Sequence, residues 1–355
     1  MSVRYQPVTW NRFKIGYDIA VLAIIFFYVY IFVRLGAANP ELTRPIDGAT
    51  LRMRAFGTCA FLLLTFILCI GPLARMDRRF LPLLYNRRHL GVITCAVAAV
   101  HATFVLNWYF NFSPVAKWPA LLGSNTSYEQ VLGFPFEALG LFALVVLLVM
   151  AVTSHDFWLS FLTPPVWKVI HISVYLAYFA VVLHVALGRG QSSQTPLTAI
   201  MVFAGAALVG GLHFAAALKQ GREDRARDGS PDAEGWIDAG AVTDFQNNRA
   251  RIVGLADGEQ VAVFRYGDRI SALTNACAHQ NGPLGEGRII DGCVTCPWHG
   301  FQYNPVDGCA PAPFTEKIAT YNVKRVGARV LVHQTANAPG TPVDPLIIGT
   351  EGSAA

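Results

Sequence analysis

A chain of 355 residues has room for two or three domains, and with 53% hydrophobic and only 14% charged residues it is too apolar to be wholly soluble. The formal charge of +5 is small and gathers at the ends of apolar runs. It therefore bears on membrane orientation and argues against a nucleic-acid binder. Seven cysteines, three of them (Cys59, Cys69, Cys95) inside apolar runs, do not suggest a disulfide framework and fit a reducing compartment.

Residues 1–16 form a basic arm with Arg4, Arg12 and Lys14. The apolar stretch behind it is about 20 residues long and lacks a small-x-small cleavage site, so it is expected to be a retained helix rather than a secretory signal. Six apolar segments, near 17–36, 51–72, 89–112, 133–153, 166–188 and 196–218, are long enough to cross a bilayer. They predict an α-helical six-span membrane bundle over 17–218. Pro164-Pro165 precedes the fifth, a position where a helix tolerates proline.

Residues 219–235, rich in Arg, Asp, Glu and Gly, read as a charged linker. From Trp236 apolar and polar residues alternate between the turn pairs Asp257-Gly258 and Gly267-Asp268, which predicts a small all-β domain over 236–335. Residues 336–355, with Pro, Gly, Thr and Ala, read as a flexible tail.

Thirteen basic residues lie in the arm (Arg4, Arg12, Lys14), the 73–88 loop (Arg75, Arg78, Arg79, Arg87, Arg88), Lys168 and the linker (Lys219, Arg222, Arg225, Arg227). Fewer lie on the other side, among them Arg34, Arg44 and Lys117. The expectation is a multi-pass protein of the cell inner membrane with both termini and the β domain in the cytoplasm.

Ionisable side chains are costly in hydrocarbon, so histidines within spans are read as functional. His171 and His184, thirteen residues apart on the fifth span, are separated by roughly 20 Å along its axis. His101 lies about 18 Å below the cytoplasmic start of the third span and reaches the depth of His184. Two imidazoles from different helices at one depth can hold a haem iron axially. At the level of His171 the available partners are His89, His213 and the loop residue His155. Each also fits a hydrogen-bonded interfacial role. Twelve residues turn His89 about 120° from His101, which weakens it as a ligand.

This part resembles the ferric reductase-like transmembrane domains, and within them the haem-binding membrane subunits of bacterial methionine sulfoxide reductase systems. The motifs are Gly71-Pro-Leu-Ala-Arg75, Arg87-Arg88-x-Leu90-Gly91 ahead of His101, Thr153-Ser154, and Trp167-Lys-Val-Ile-His171-x3-Tyr175-Leu176 ahead of His184. The resemblance implies b-type haem, one or two, with His101, His171 and His184 as its histidines. It does not place a histidine at His89. Arg87 and Arg88 suit haem propionates and equally mark the cytoplasmic boundary.

The soluble part centres on Cys277-Ala-His279 and Cys296-Pro-Trp-His299. Two Cys and two His in mixed clusters suit a [2Fe-2S] centre in which Cys277 and Cys296 take one iron and His279 and His299 the other. A structural zinc site usually separates its Cys pair from its His pair. Residues 235–335 resemble the Rieske ferredoxins, from Asn275 to Gly287, through Cys296-Pro-Trp-His-Gly-Phe-Gln-Tyr303, to Pro311-Ala-Pro313. The high-potential members carry a disulfide beside the cluster and a Ser where Phe301 stands. Neither is present, so the expectation is a low-potential, ferredoxin-like cluster whose imidazoles form an exposed edge.

The expected function is electron transfer from a cytoplasmic donor, such as a ferredoxin or flavin reductase, through the cluster and haem to an acceptor across the membrane. A membrane-tethered ferredoxin serving a cytoplasmic oxidoreductase is the main rival, and quinol-linked input is a further case. A Rieske oxygenase needs a separate catalytic domain with a mononuclear iron. Only about twenty residues follow the β domain.

Overall fold

The computed structural model describes residues 12–38, 47–111, 113–127, 133–154, 158, 162, 164–188, 197–227, 229–279, 281–297 and 300–348. It divides into two compact units, one within 9–216 and one within 217–355.

The first unit holds α1 (Arg12–Ala37), α2 (Gly48–Met76), α3 (Leu81–Phe110), the short α4 (Lys117–Leu122), α5 (Phe136–Thr153), α6 (Pro164–Ile172) and α7 (Val174–Leu187). The last long helix is α8 (Leu197–Arg227). Among the described residues six spans, the fifth made of α6 with α7, are long and apolar enough to cross a membrane, and the chain is a multi-pass membrane protein. Asp47 starts α2 by accepting from the Ala49 N–H at 2.6 Å. The fifth span breaks at Ser173, whose hydroxyl bonds the Ile170 carbonyl at 2.5 Å and so competes with the helical ladder.

Burial ranks the helices. In the most apolar window of α2, 44% of residues are buried, against 6% in α1, so α2 is central and α1 turns Ile19, Ile24 and Phe26 outward to lipid. Phe61 and Leu64 of α2 pack with Cys95 of α3, Tyr178 of α7 and Val202 of α8. The Phe61 and Tyr178 rings stack at 5.8 Å, and the Thr65 and Tyr178 hydroxyls meet at 3.0 Å. Ala143, Ala177 and Ala180 let α5 and α7 approach closely.

The second unit is all-β: β1 (Trp236–Ala241), β2 (Arg249–Gly254), β3 (Gln260–Tyr266), β4 (Arg269–Thr274), β5 (Arg288–Ile290), β6 (Cys293–Thr295), β7 (Gln302–Tyr303), β8 (Thr320–Val326), β9 (Arg329–Ala336) and β10 (Leu346–Ile347). The larger sheet runs β1-β9-β8-β4-β3-β2, with β10 added on β4, and the smaller runs β5-β6-β7. Strand β3 is buried on both faces. Val261 and Val263 enter one core, and Ala262 and Phe264 the other, which also contains Cys277 and Cys296.

Two expectations are corrected. The linker expected at 219–235 is helical through Arg227, because its Lys, Gln, Arg, Glu and Ala are good helix formers. The tail expected to be loose from 336 is ordered to residue 348: Leu346 pairs with Ile270, and Ile348 is buried at 4% exposure in the first core. Apolar Leu346-Ile-Ile348 has the part of β4 beyond its β8 pairing (Arg269, Ile270) and a core to bury against, and that outweighs the Pro and Gly around it.

Candidate functional site

In the β unit the two cluster loops are built alike. The Cys277 N–H donates to Gly282 O at 2.9 Å, and the Asn281 N–H returns to Cys277 O at 2.7 Å. In the second loop the Cys296 N–H donates to Phe301 O at 2.8 Å, and the Gly300 N–H returns to Cys296 O at 3.0 Å. Each turn closes on a residue with positive φ, Asn281 at 56° and Gly300 at 72°, a conformation Gly and Asn adopt most readily. Asn275 anchors the first loop by accepting from the Gly285 N–H at 2.7 Å and donating to Gln260 Oε1 at 2.8 Å.

Cys277 and Cys296 are both 1% exposed. The Tyr303 hydroxyl accepts from the Ala278 N–H at 3.0 Å and lies 3.4 Å from Cys277 Sγ, within reach to donate its own proton to that sulfur when it is a thiolate. Burial, followed by the neighbouring Cys277, raises the Tyr303 pKa well above the ordinary phenol range, and the hydroxyl stays a donor. Two buried thiols and a solvent-screened His279 Nδ1 form a donor set that suits a cluster far better than an apolar core. His279 departs from the exposed edge that the resemblance implies. It is 4% exposed, and Phe301 lies nearly parallel to it at 5.4 Å. His299 lies outside the described residues.

In the membrane unit two histidines are held by one device. His101 of α3 puts Nδ1 2.9 Å from the Met53 carbonyl of α2, and His184 of α7 puts Nδ1 2.8 Å from the Phe136 carbonyl of α5. A carbonyl only accepts, so Nδ1 carries the proton and Nε2 keeps its lone pair. This tautomer is the one a metal-ligating histidine needs, with the outer nitrogen tied to the protein. That donor geometry suits a haem, which the two imidazoles would hold through Nε2.

His171 is held differently. Its Nδ1 bonds the Trp167 carbonyl of its own turn at 3.0 Å, its ring stacks on Trp167 at 3.5 Å, and Nε2 lies 3.4 Å from Ser154 Oγ. Arg87 and Arg88 stand within electrostatic reach of it. The three histidines considered as its partners are not equivalent. His89 pairs with Asp18 of α1 at 2.9 Å. His213 bonds the Val209 carbonyl through Nδ1 at 2.9 Å, and its Nε2 lies 2.9 Å from the Tyr175 hydroxyl, which uses that lone pair. His155 lies outside the described residues.

The sequence reading missed the supports: the Met53 and Phe136 carbonyls, Asn275, and the glycines Gly57 and Gly140 against which the two rings lie. Glycine inside an apolar helix was the one available signal.

Two families match the chain. The Rieske [2Fe-2S] domain matches residues 235–322, and the ferric reductase like transmembrane component matches residues 56–182. The anthranilate 1,2-dioxygenase ferredoxin subunit of Burkholderia cepacia is 35% identical over 101 residues, covering 28% of this chain and 91% of that one. Ferredoxin CarAc of Metapseudomonas resinovorans is 30% identical over 90 residues, covering 25% and 84%. Among solved structures, a complex of reduced oxygenase and oxidised ferredoxin in carbazole 1,9a-dioxygenase contains a chain 27% identical, covering 30% of this chain and 98% of that chain at a TM-score of 0.28.

Proposed function

We propose, for a chain that belongs to the Rieske [2Fe-2S] family and carries a ferric reductase like transmembrane component, that this electron-transfer protein accepts single electrons on the cytoplasmic side and delivers them across the inner membrane. Cys277, Cys296, His279 and His299 would hold the cluster, and His101 with His184 a b-type haem. When bound, each of these groups supplies one-electron transfer at iron. The protein residues supply the rest. Tyr303 donates towards Cys277 Sγ and stabilises added negative charge there. The Met53 and Phe136 carbonyls fix the tautomer of His101 and His184. Arg87 and Arg88, in the motif ahead of His101, would offer cationic partners to the propionates of a second haem. His89 is assigned to its ion pair with Asp18 rather than to iron.

The observation that carries the reading is the matched pair of histidines, each tied through Nδ1 to a neighbouring helix. A tethered ferredoxin has no use for it. Of the two relatives named above, both are ferredoxins and one is a subunit of an anthranilate 1,2-dioxygenase; here the ferredoxin role feeds the membrane-spanning part, with a ferredoxin or flavin reductase as donor. Cytoplasmic orientation rests on the Lys and Arg distribution.

Proteoliposomes test it. Ferricyanide trapped inside, with reductant supplied only outside, should bleach in vesicles whose β domain faces outward, and His184→Ala should stop the bleaching. Equal bleaching with and without His184 would sink the reading.

A further inference from the structure

The two histidine seats share a feature beyond their hydrogen bonds. His101 donates to Met53 O, and four residues later on the same helix stands Gly57; His184 donates to Phe136 O, and four residues later stands Gly140. In an α-helix the carbonyl of residue i pairs with the N–H of residue i+4. Each imidazole therefore shares a carbonyl with a glycine N–H and lies on that glycine. A Cβ on Gly57 would come within 2.9 Å of His101 Cε1 and Nδ1, and one on Gly140 within 2.8 Å of the same atoms of His184. Those are distances real Cβ atoms do not show, and for each the three nearest atoms belong to the histidine ring. Any side chain would push the ring off its carbonyl.

We propose that Gly57 and Gly140 are ligand-positioning residues, a pair of matched sockets that let the histidine of a neighbouring helix press on the backbone, lock its Nδ1–H and aim Nε2 at a haem iron. This deepens the haem reading of His101 and His184 and rests on it. The seats are cross-helix: α2 holds the ligand of α3, and α5 holds the ligand of α7. His171, held by its own turn, has no such socket in these contacts. The outer site is thereby preorganised in a way the inner histidine is not.

Four alanine variants of the full chain, purified in detergent from haem-replete cells, separate this role from simple crowding. A methyl on Gly205 would meet Phe61 at 3.0 Å and Tyr178 at 3.3 Å without touching a histidine, and one on Gly210 would meet nothing within 4 Å. The readouts are haem per [2Fe-2S] and the spin state of the bound haem by electron paramagnetic resonance. Gly57→Ala and Gly140→Ala should each lower occupancy of the His101 and His184 haem about tenfold or leave that haem five-coordinate and high-spin, in the range that outer-shell partners cost metal sites. Gly205→Ala and Gly210→Ala should keep the wild-type ratio and the low-spin signal.

Unchanged ratio and spin state in Gly57→Ala and Gly140→Ala overturns the proposal, and so does an equal loss in Gly205→Ala. Where Gly57→Ala fails to accumulate, the His101→Ala/Gly57→Ala double variant, which lacks the ring, should recover to the yield of His101→Ala. Failure to recover counts against the socket. Wild-type protein without haem removes the haem reading itself, and this inference with it.

Discussion

The two candidate centres solve one problem, fixing donor atoms for a metal, at very different ranges along the chain. In the β unit the donors and much of what holds them lie between Asn275 and Tyr303: two turns closed by their own backbone, each with a positive-φ residue at the corner, and a tyrosine hydroxyl behind one sulfur. In the membrane unit His101 depends on Met53 and Gly57, forty-eight and forty-four residues away, and His184 depends on Phe136 and Gly140 at the same separations. A local centre is carried by a motif. A distributed centre is carried by packing, and its supports are backbone groups and absent side chains.

The difference predicts how each centre fails. The largest effect is expected from Cys296→Ala, which removes one of two buried thiolates from a site with nothing to replace it. The cluster signal should vanish while haem content stays at wild type, because the ligands belong to separate units. Parallel loss of haem would show that the two centres are not independent. His184→Ala is the converse: occupancy of the His101 and His184 haem should fall by at least about tenfold, leaving at most the haem His171 holds, with the [2Fe-2S] resonance unchanged.

Ile348→Ala examines whether the β centre is as local as it looks. Ile348 is 4% exposed in the core shared with β3 and β4, so truncation should cost the domain about 2–4 kcal/mol by denaturant titration. The cluster loops belong to the other core and should keep their resonance in the folded protein. A changed resonance would break the comparison.

Two smaller effects sharpen it. Tyr303→Phe removes the donor beside Cys277 Sγ, a bond worth about 1 kcal/mol, so the one-electron potential should fall by about 40 mV. A redox titration showing no change would mean that the hydroxyl does not donate to the sulfur. His89→Ala should leave haem content as in the wild type, since its Nδ1 is paired with Asp18 on α1. Loss of half the haem would restore His89 as the inner ligand.

What could be read from the sequence follows the same division. The six spans, the strand alternation and Cys277, His279 and Cys296 were legible because helix period, strand period and short motif are local quantities. The expectation that His101 and His184 share one depth came from rise per residue alone. The identity of the helix each ring leans on was not legible, because periodicity gives a face and not a neighbour. Depth and rotation weakened His89 but still left it open beside His213 and His155. The partner that separates His213 from the rest is Tyr175, thirty-eight residues away. The course of 336–348 went unread for a related reason: its composition is that of a loop, and the part of β4 that β8 leaves unpaired, with the core under it, is what makes Leu346 strand and Ile348 core.

The most direct measurement is the amount of haem b per [2Fe-2S] in the detergent-purified chain, from reduced-minus-oxidised absorbance with iron and acid-labile sulfide analysis. The account predicts about one low-spin haem for the His101 and His184 pair, rising to about two if His171 also serves. A ratio near zero from haem-replete cells would contradict it and leave a Rieske ferredoxin carried on six helices.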